Sequence, residues 1–380
     1  MKLALETKGT EFTSRFGGSD PIPFDSHHRL ASSRLMKVEE VGVPPIQHRA
    51  FAEIADLFSG HELLVVNDAA TLPASLRVVH VRSARLIEIR LIRNLSWLDT
   101  RSPVANVARW EAVAFGEGDW RTRTEDRPAP PTLLVGDQLR IGIDENSCLL
   151  RGHVTGHSPI SPRLFTLQFD GTPEAIWSAL YCMGRPIQYS HRTENLEIWD
   201  AQTLFTGPPV AAEAPSAAFP FNWRTLLALK AKGVEVAAIT HASGLSSVGD
   251  PLLDARLPLP ESYTISPAVA EAVLRAKRAS RPVIALGTTV TRALESAAQD
   301  ETIAAGSRET SLRITARHRL QVVDELITGM HEPGSSHLEL LQAFVSPETL
   351  KQAYREATDL NYQWHENGDM CWLKRTPTST

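Results

Sequence analysis

The hydrophobic positions of this chain follow two rhythms, and the change between them divides it. The first strong signal is an apolar run, Leu63 to Val66, that ends in Asn67-Asp68. Consecutive apolar residues before an Asx pair predict a buried strand running into a turn. Within residues 77–93, Glu88 and Arg90 alternate with Ile87, Ile89 and Leu91. A period of two predicts a strand with one face on the core and one face wet. Further strand-like pieces follow at 109–115, 132–135, 138–143, 148–154 and 164–169, punctuated by Gly, Asp, Asn and Pro. Short strands, frequent turn residues and little helix predict a small barrel or sandwich over residues 77–175.

Beyond a Pro/Ala-rich stretch at 207–217 the period lengthens. Asn222 is placed to cap a helix that closes at Gly233. Residues 234–240 read as a strand, and Ser266-Pro267 opens a helix that runs to 280. Residues 282–289 form a strand entering a turn, with a helix directly after it. Ser346-Pro347 begins a closing helix to 362. Strands alternating with helices imply an α/β layer with parallel pairing. Residues 1–30, with Gly17, Gly18, Pro21 and Pro23, read as a loose arm.

Composition narrows the class. The 380 residues are 42% hydrophobic and 22% charged, as in a globular protein of two domains. A formal net charge of −5 weighs mildly against general nucleic-acid binding, which needs an excess of Lys and Arg. Cys148, Cys182 and Cys371 stand far apart. They form neither a zinc motif nor a disulfide framework, and read as reduced core thiols. No signal-peptide pattern and no membrane-length apolar run occurs, so a cytoplasmic location is expected.

Four segments can carry chemistry. In 285–296, a strand delivers Gly287-Thr288-Thr289 to a helix start, where free backbone N–H groups and two hydroxyls can hold an anionic or polar group. Arg292, expected in the first helical turn, can pair with a carboxylate or phosphate. In 322–336, His331 sits at a strand-to-loop junction and can move a proton near neutral pH, with Asp324 to orient it or contact a ligand. Asn67-Asp68 and Asp369 end or begin turns. Each segment also has a purely structural reading: a Thr-capped helix, a loop histidine, an Asx turn. No histidine spacing suits a metal, and neither a P-loop nor a dinucleotide fingerprint is present.

Together these segments resemble the S-adenosylmethionine:tRNA ribosyltransferase-isomerase family of queuosine biosynthesis, from about Ser33 to Asp369. Residues 63–76 resemble its strand with an Asn-Asp turn. Residues 285–296 match its Gly-Thr-Thr-x-x-Arg-x-Leu-Glu segment, and 322–344 resemble the segment that ends in its late His-x-Pro. Residues 362–369 resemble its Tyr…Gly-Asp close, and Pro215-Ser216 stand where it carries Pro-Thr. The resemblance implies an α/β main domain, residues 1–76 and 176–380, with an antiparallel β-barrel domain inserted at 77–175.

It also implies a reaction. The ribosyl group of S-adenosylmethionine passes to 7-aminomethyl-7-deazaguanine in tRNA and is isomerised, with loss of adenine and methionine. S-adenosylmethionine is then a substrate, and no metal is expected. The sulfonium acidifies the C5′ hydrogens, so the site needs a base, hydrogen bonds for adenine and an anchor for methionine. By resemblance Asn67, Pro215, Ser216, Glu261, Gly287, Thr288, Thr289 and Arg292 bind substrate, and His331, Asp68 and Asp324 are the catalytic set.

The chain departs from the family pattern at Ala69-Ala70 and Ser75, where a hydroxyl and two arginines are lost. It departs again at 218–221 and 241–244, where histidines are lost or displaced, and at Gly334 in place of a lysine. Such losses are not conservative at an anion site. Three readings remain open: the family reaction on tRNA, with a basic groove of Arg82, Arg85, Arg90 and Arg93; a related reaction on a small molecule; and nucleoside binding without turnover. A monomer is expected.

Overall fold

The computed structural model describes residues 33–375, apart from 43, 101–103, 143–147, 192–193, 301 and 366–367. The arm expected at residues 1–30 lies outside the described residues. The chain opens with an antiparallel pair, β1 (Arg34–Glu39) and β2 (Ile46–Ala50), followed by β3 (Leu63–Asn67) and the short β4 (Ala70–Thr71). It then enters the β region: β5 (Ser75–His80), β6 (Arg85–Asn94), β7 (Arg109–Phe115), β8 (Gln138–Gly142), β9 (Cys148–His157) and β10 (Leu164–Phe169). These six close into an antiparallel barrel in the order β10-β7-β6-β5-β8-β9.

Three expectations fail in the barrel region. Residues 77–93 are a hairpin, not one strand, because Val81–Ser83 make a helical turn and Ala84 takes φ 54°. Residues 132–135 are not a strand: Leu134 and Val135 are exposed, and the Thr132 carbonyl accepts from Arg82 instead of a neighbouring strand. The wet face expected on 87–91 is also buried. Ile87, Ile89 and Leu91 fill the barrel, while Glu88 and Arg90 are 6% and 2% exposed on the outside. A buried charge is tolerable there because it is paired: Glu88 accepts from Arg90 at 2.7 Å and from Arg127 at 2.6 Å.

After the barrel comes a helix that the sequence pattern did not reveal, α1 (Pro173–Met183), capped by the Thr172 hydroxyl. Its Ile176, Ala179 and Leu180 enter the apolar cluster of the barrel. Then follow β11 (Pro209–Ala211), which pairs with β4, α2 (Trp223–Lys232), β12 (Glu235–His241), β13 (Glu261–Ile265), α3 (Pro267–Arg278), β14 (Val283–Leu286) and α4 (Thr288–Ala297). The chain closes through β15 (Ala298–Gln299), β16 (Thr302–Ile303), β17 (Gly306–Thr310), β18 (Glu325–Gly329), α5 (Ser336–Leu341), α6 (Pro347–Asp359) and β19 (Met370–Lys374). The caps predicted at Asn222, Ser266 and Ser346 are present, as is the left-handed Gly233.

Nine strands form one mixed sheet in the order β17-β13-β12-β3-β14-β18-β19-β1-β2. Its centre, β12-β3-β14-β18, is parallel. All five residues of β3 are buried, since one apolar cluster covers each face of the sheet. β3 lies between β12, reached from it by way of the barrel, and β14, reached from β13 through α3. The crevice at the carboxyl ends of such strands is where α/β sheets place ligands.

Cys371 is buried and burial pushes its thiol up to about 12. Cys182 is exposed, against the expectation of a core thiol.

Candidate active site

The carboxyl ends of β3, β12, β14 and β18 bring Asn67, His241, Gly287 and the His331 loop to one edge. Asn67 knits three of these elements. Its Nδ2 donates to the His241 carbonyl at 2.9 Å and to the Thr289 hydroxyl at 3.4 Å, and its Oδ1 accepts from the His241 and Ala69 N–H groups. The half-buried Asp68 accepts from the Thr240 hydroxyl at 2.6 Å. Burial raises its carboxyl above the ordinary value, against the effect of that hydrogen bond.

Gly287 is the N-cap of α4, with φ 99° and ψ 154°. That region is essentially reserved for glycine, and a Cβ there would lie 3.4 Å from Ala217. Ala217 of the 215–218 turn therefore packs close beside the start of α4, with Pro215 and Ser216 directly before it in the chain. Thr288 is buried at the first helical position. Arg292 is not in the first turn but the second, and it points away from the helix start to pair with Glu261 of β13.

Glu261 is the hub of the edge. One carboxylate oxygen accepts from Arg292 and from His241 Nε2 at 2.8 Å; the other accepts from the Gly244 N–H at 2.7 Å. Burial alone would raise this carboxyl, but the Arg292 charge and the hydrogen bonds of His241 and Gly244 outweigh it and hold Glu261 at about 2. Around it, His241 Nδ1, Ser243 Oγ and Arg292 Nη2 are buried without a hydrogen-bond partner. Native proteins rarely leave such atoms unsatisfied, so these three are groups that water or a ligand can partner.

A small cleft leads from Arg292 past Pro258, Leu312 and Ile314 to Ser336 and His337. His337 stacks on His331, with ring centroids 5.1 Å apart, and His331 Nε2 meets the Thr328 hydroxyl at 2.8 Å. His331 thus joins the same edge through His337. On the far side of its loop, His365 stacks on His191 at 4.1 Å and pairs with Glu332 at 3.5 Å.

Asp324 does not reach this edge. It precedes β18, at the opposite end of the strand from His331, and ties Lys277 and the Val283 N–H. Asp369 is likewise spent on a paired Arg34. Nor do the arginines expected in a basic groove line one. Arg82 pairs with Asp137, Arg90 with Glu88, and Arg93 with Glu111 and Glu309; Arg85 alone of the four has no such ion pair and stays exposed. Among the described residues no group of three or more His, Cys, Asp or Glu side chains is arranged to hold a metal ion. Nor, among the described residues, is any helix long and apolar enough to cross a membrane.

Sequence reasoning assigned no role to Ser243 or His337, and left His241 open. His241 lies one residue past the expected strand, and its pairing with Glu261 is a long-range contact that local spacing does not announce.

The family model for queuosine biosynthesis proteins matches residues 21–373. The chain belongs to this family. It is similar to S-adenosylmethionine:tRNA ribosyltransferase-isomerases of Bradyrhizobium sp. (strain ORS 278), at 30% identity over 91% of this chain and 92% of that one. The Deinococcus radiodurans enzyme of that name is 31% identical over 90% and 89% of the two chains. That of Rhodopseudomonas palustris (strain BisB5) is 32% identical over 88% and 90%. A crystal structure of S-adenosylmethionine tRNA ribosyltransferase from Thermotoga maritima is similar at TM-score 0.47 and 22% identity, covering 94% of this chain and 96% of that one.

Proposed function

We propose that this protein transfers the ribosyl group of S-adenosylmethionine to 7-aminomethyl-7-deazaguanine in tRNA and isomerises it, as a cytoplasmic monomer. The observation that carries this reading is the set of unpartnered buried atoms around Glu261, in a chain that matches enzymes of that name over nine-tenths of its length. S-adenosylmethionine is the donor substrate. Its sulfonium polarises C5′, its carboxylate suits a guanidinium, and its adenine needs hydrogen bonds as it leaves. Arg292, with one N–H group already committed to Glu261, has Nη2 left for a carboxylate. The Gly287-Thr288-Thr289 start of α4 offers N–H groups and hydroxyls to polar groups of the donor. Pro215 and Ser216 close the wall above it.

Asp68, with its raised carboxyl, and His331 serve the proton transfers at the acceptor amine and the ribose oxygens. Asp324 acts at a distance, by holding β14 against β18. The domain division is part of the same reading: an α/β domain of residues 1–76 and 176–380, with 77–175 inserted. It is supported by barrel strands that run from Ser75 to Phe169 and sheet strands that lie outside that span.

A small-molecule acceptor is a second reading. It is favoured by the arginines that an RNA groove would use, three of which are consumed in ion pairs. Incubation with S-adenosylmethionine, with and without tRNA bearing the deazaguanine, separates the two. Adenine and methionine released only with that tRNA support the first reading. Release without it supports the second, and binding without release means a nucleoside-binding protein that does no chemistry.

A further inference from the structure

We propose that His241, held by Glu261 and Arg292, is the base that takes the C5′ proton of S-adenosylmethionine, an assignment that rests on the donor substrate proposed above. Glu261 and Arg292 are then positioning residues. The geometry carries the argument. A neutral imidazole has one N–H and one bare nitrogen, and whichever nitrogen donates fixes the other as the acceptor. Here Nε2 faces a carboxylate oxygen at 2.8 Å. Glu261 is fully ionised at neutral pH, since Arg292 and its other partners overcome the effect of burial and hold it at about 2. An ionised carboxylate only accepts, so Nε2 carries the hydrogen and Nδ1 keeps its lone pair.

That lone pair is buried and meets no protein donor. The ring cannot turn to satisfy it without breaking the Glu261 contact. The backbone holds it as firmly: Asn67 clamps both the N–H and the carbonyl of His241 at 2.9 Å. Arg292 Nη2, on the guanidinium that binds the same carboxylate, and Ser243 Oγ, one residue before Gly244, are also unsatisfied and offer donors to the rest of the ligand. His331 Nε2 is shared with the Thr328 hydroxyl, and its face lies on His337.

The step balances. The C5′–H bond breaks and its electron pair stays on carbon, stabilised by the adjacent sulfonium. An N–H bond forms at Nδ1, and the imidazolium charge faces the Glu261 carboxylate, which holds the ion pair together. The pair on C5′ then forms the C4′–C5′ double bond as C4′–O4′ breaks, O4′ makes a carbonyl with C1′ as C1′–N9 breaks, and the departing adenine anion takes the proton from Nδ1, which restores the neutral ring.

The test uses the full chain, S-adenosylmethionine and the tRNA substrate, with wild type, His241→Gln, Glu261→Gln and His331→Gln. Glutamine at 241 can still donate to Glu261, so it preserves the buried hydrogen bond. Calorimetric binding of S-adenosylmethionine and a thermal melt establish that each variant is folded and loaded. The expected result for His241→Gln is adenine release slowed roughly 10²–10⁴-fold, the usual worth of a general base, with donor affinity kept. Its pH profile loses the limb that reports the base in wild type. Glu261→Gln lowers kcat with little change in the KM for the donor and shifts that limb. His331→Gln keeps it. If His241→Gln retains rate and pH profile, or if the limb disappears in His331→Gln instead, the assignment is overturned and the proposed reaction stands. If wild type neither binds S-adenosylmethionine nor releases adenine, the proposed reaction itself fails.

Discussion

Glu261 ties together three groups of the strand edge, because a single buried carboxylate satisfies Arg292, His241 and the Gly244 N–H. Its chemistry sets a pH window. Its carboxyl lies near 2 in the fold against 4.5 for an ordinary glutamate, so its contribution to stability is complete above about pH 4.5 and is lost as pH falls through 2. Thermal melts should show Glu261→Gln less stable than wild type at neutral pH, with the gap shrinking steadily between pH 4.5 and 2. Arg292→Ala leaves the carboxylate buried and short of its cation, a situation that costs about 3–5 kcal/mol by denaturant unfolding. Adding Glu261→Gln to Arg292→Ala should restore part of that loss, which a double-mutant cycle measures. Arg292 was visible in the sequence as part of a strand–turn–helix segment, but its partner was not. The two residues are 31 positions apart and meet only because β13 lies antiparallel beside β12 while α4 packs over the sheet.

At the level of elements, local chemistry and tertiary demand agree best around α4. The apolar β14 residues are all buried, and Gly287 supplies the turn that no residue with a Cβ adopts without strain. Gly287→Ala should destabilise the protein by roughly 1–3 kcal/mol, the ordinary cost of that backbone region for a substituted residue, and weaken donor binding by shifting Thr288. Leu294, fully buried on the core side of α4, reports packing alone. Leu294→Ala should cost roughly 2–5 kcal/mol in chemical unfolding and leave the relative rates with and without tRNA unchanged. The caps at Asn222, Ser266 and Ser346 were legible because a helix start is written within four residues. The 77–93 segment was not, since alternation continues through a tight helical turn and gives no sign of the reversal. The polar face of β6 was misleading for a related reason: an alternating charge predicts water, whereas Glu88, Arg90 and Arg127 neutralise one another in the interior.

For the molecule as a whole, that ion cluster is where the barrel meets the rest of the chain. Arg90, Arg127 and Arg163 all lie against the Phe115 ring, and Arg163 donates across to the Gly249 carbonyl. Ile92, Val113 and Phe115 of the barrel share an apolar cluster with Leu245, Val248 and Leu259, close to the loop that carries Ser243 and Gly244. The seating of the barrel therefore bears on the active edge. Glu88→Ala strands two buried guanidinium groups and should lower stability by about 3–5 kcal/mol in guanidinium or urea titration. It should also reduce donor affinity, although Glu88 lies outside the edge. A variant that melts as wild type would remove the barrel interface from the account of the site.

The sequence by itself determined the strands β3, β12 and β14 and the helices α2, α3, α4 and α6 of the α/β half, where the β region lies, and the family. Each of these is written in local periodicity, in caps, or in segments that keep their order along the chain. Only the tertiary structure decided which polar residues share a site. Glu261 and His241 meet across an antiparallel pair, Arg292 reaches them from a helix above, and His331 joins through a stacked imidazole. Asp324, close to His331 in sequence, stands at the other end of the same strand. Side-chain chemistry falls off within a few ångströms, while a five-residue strand spans about 17 Å, so position along the chain cannot stand in for position in space.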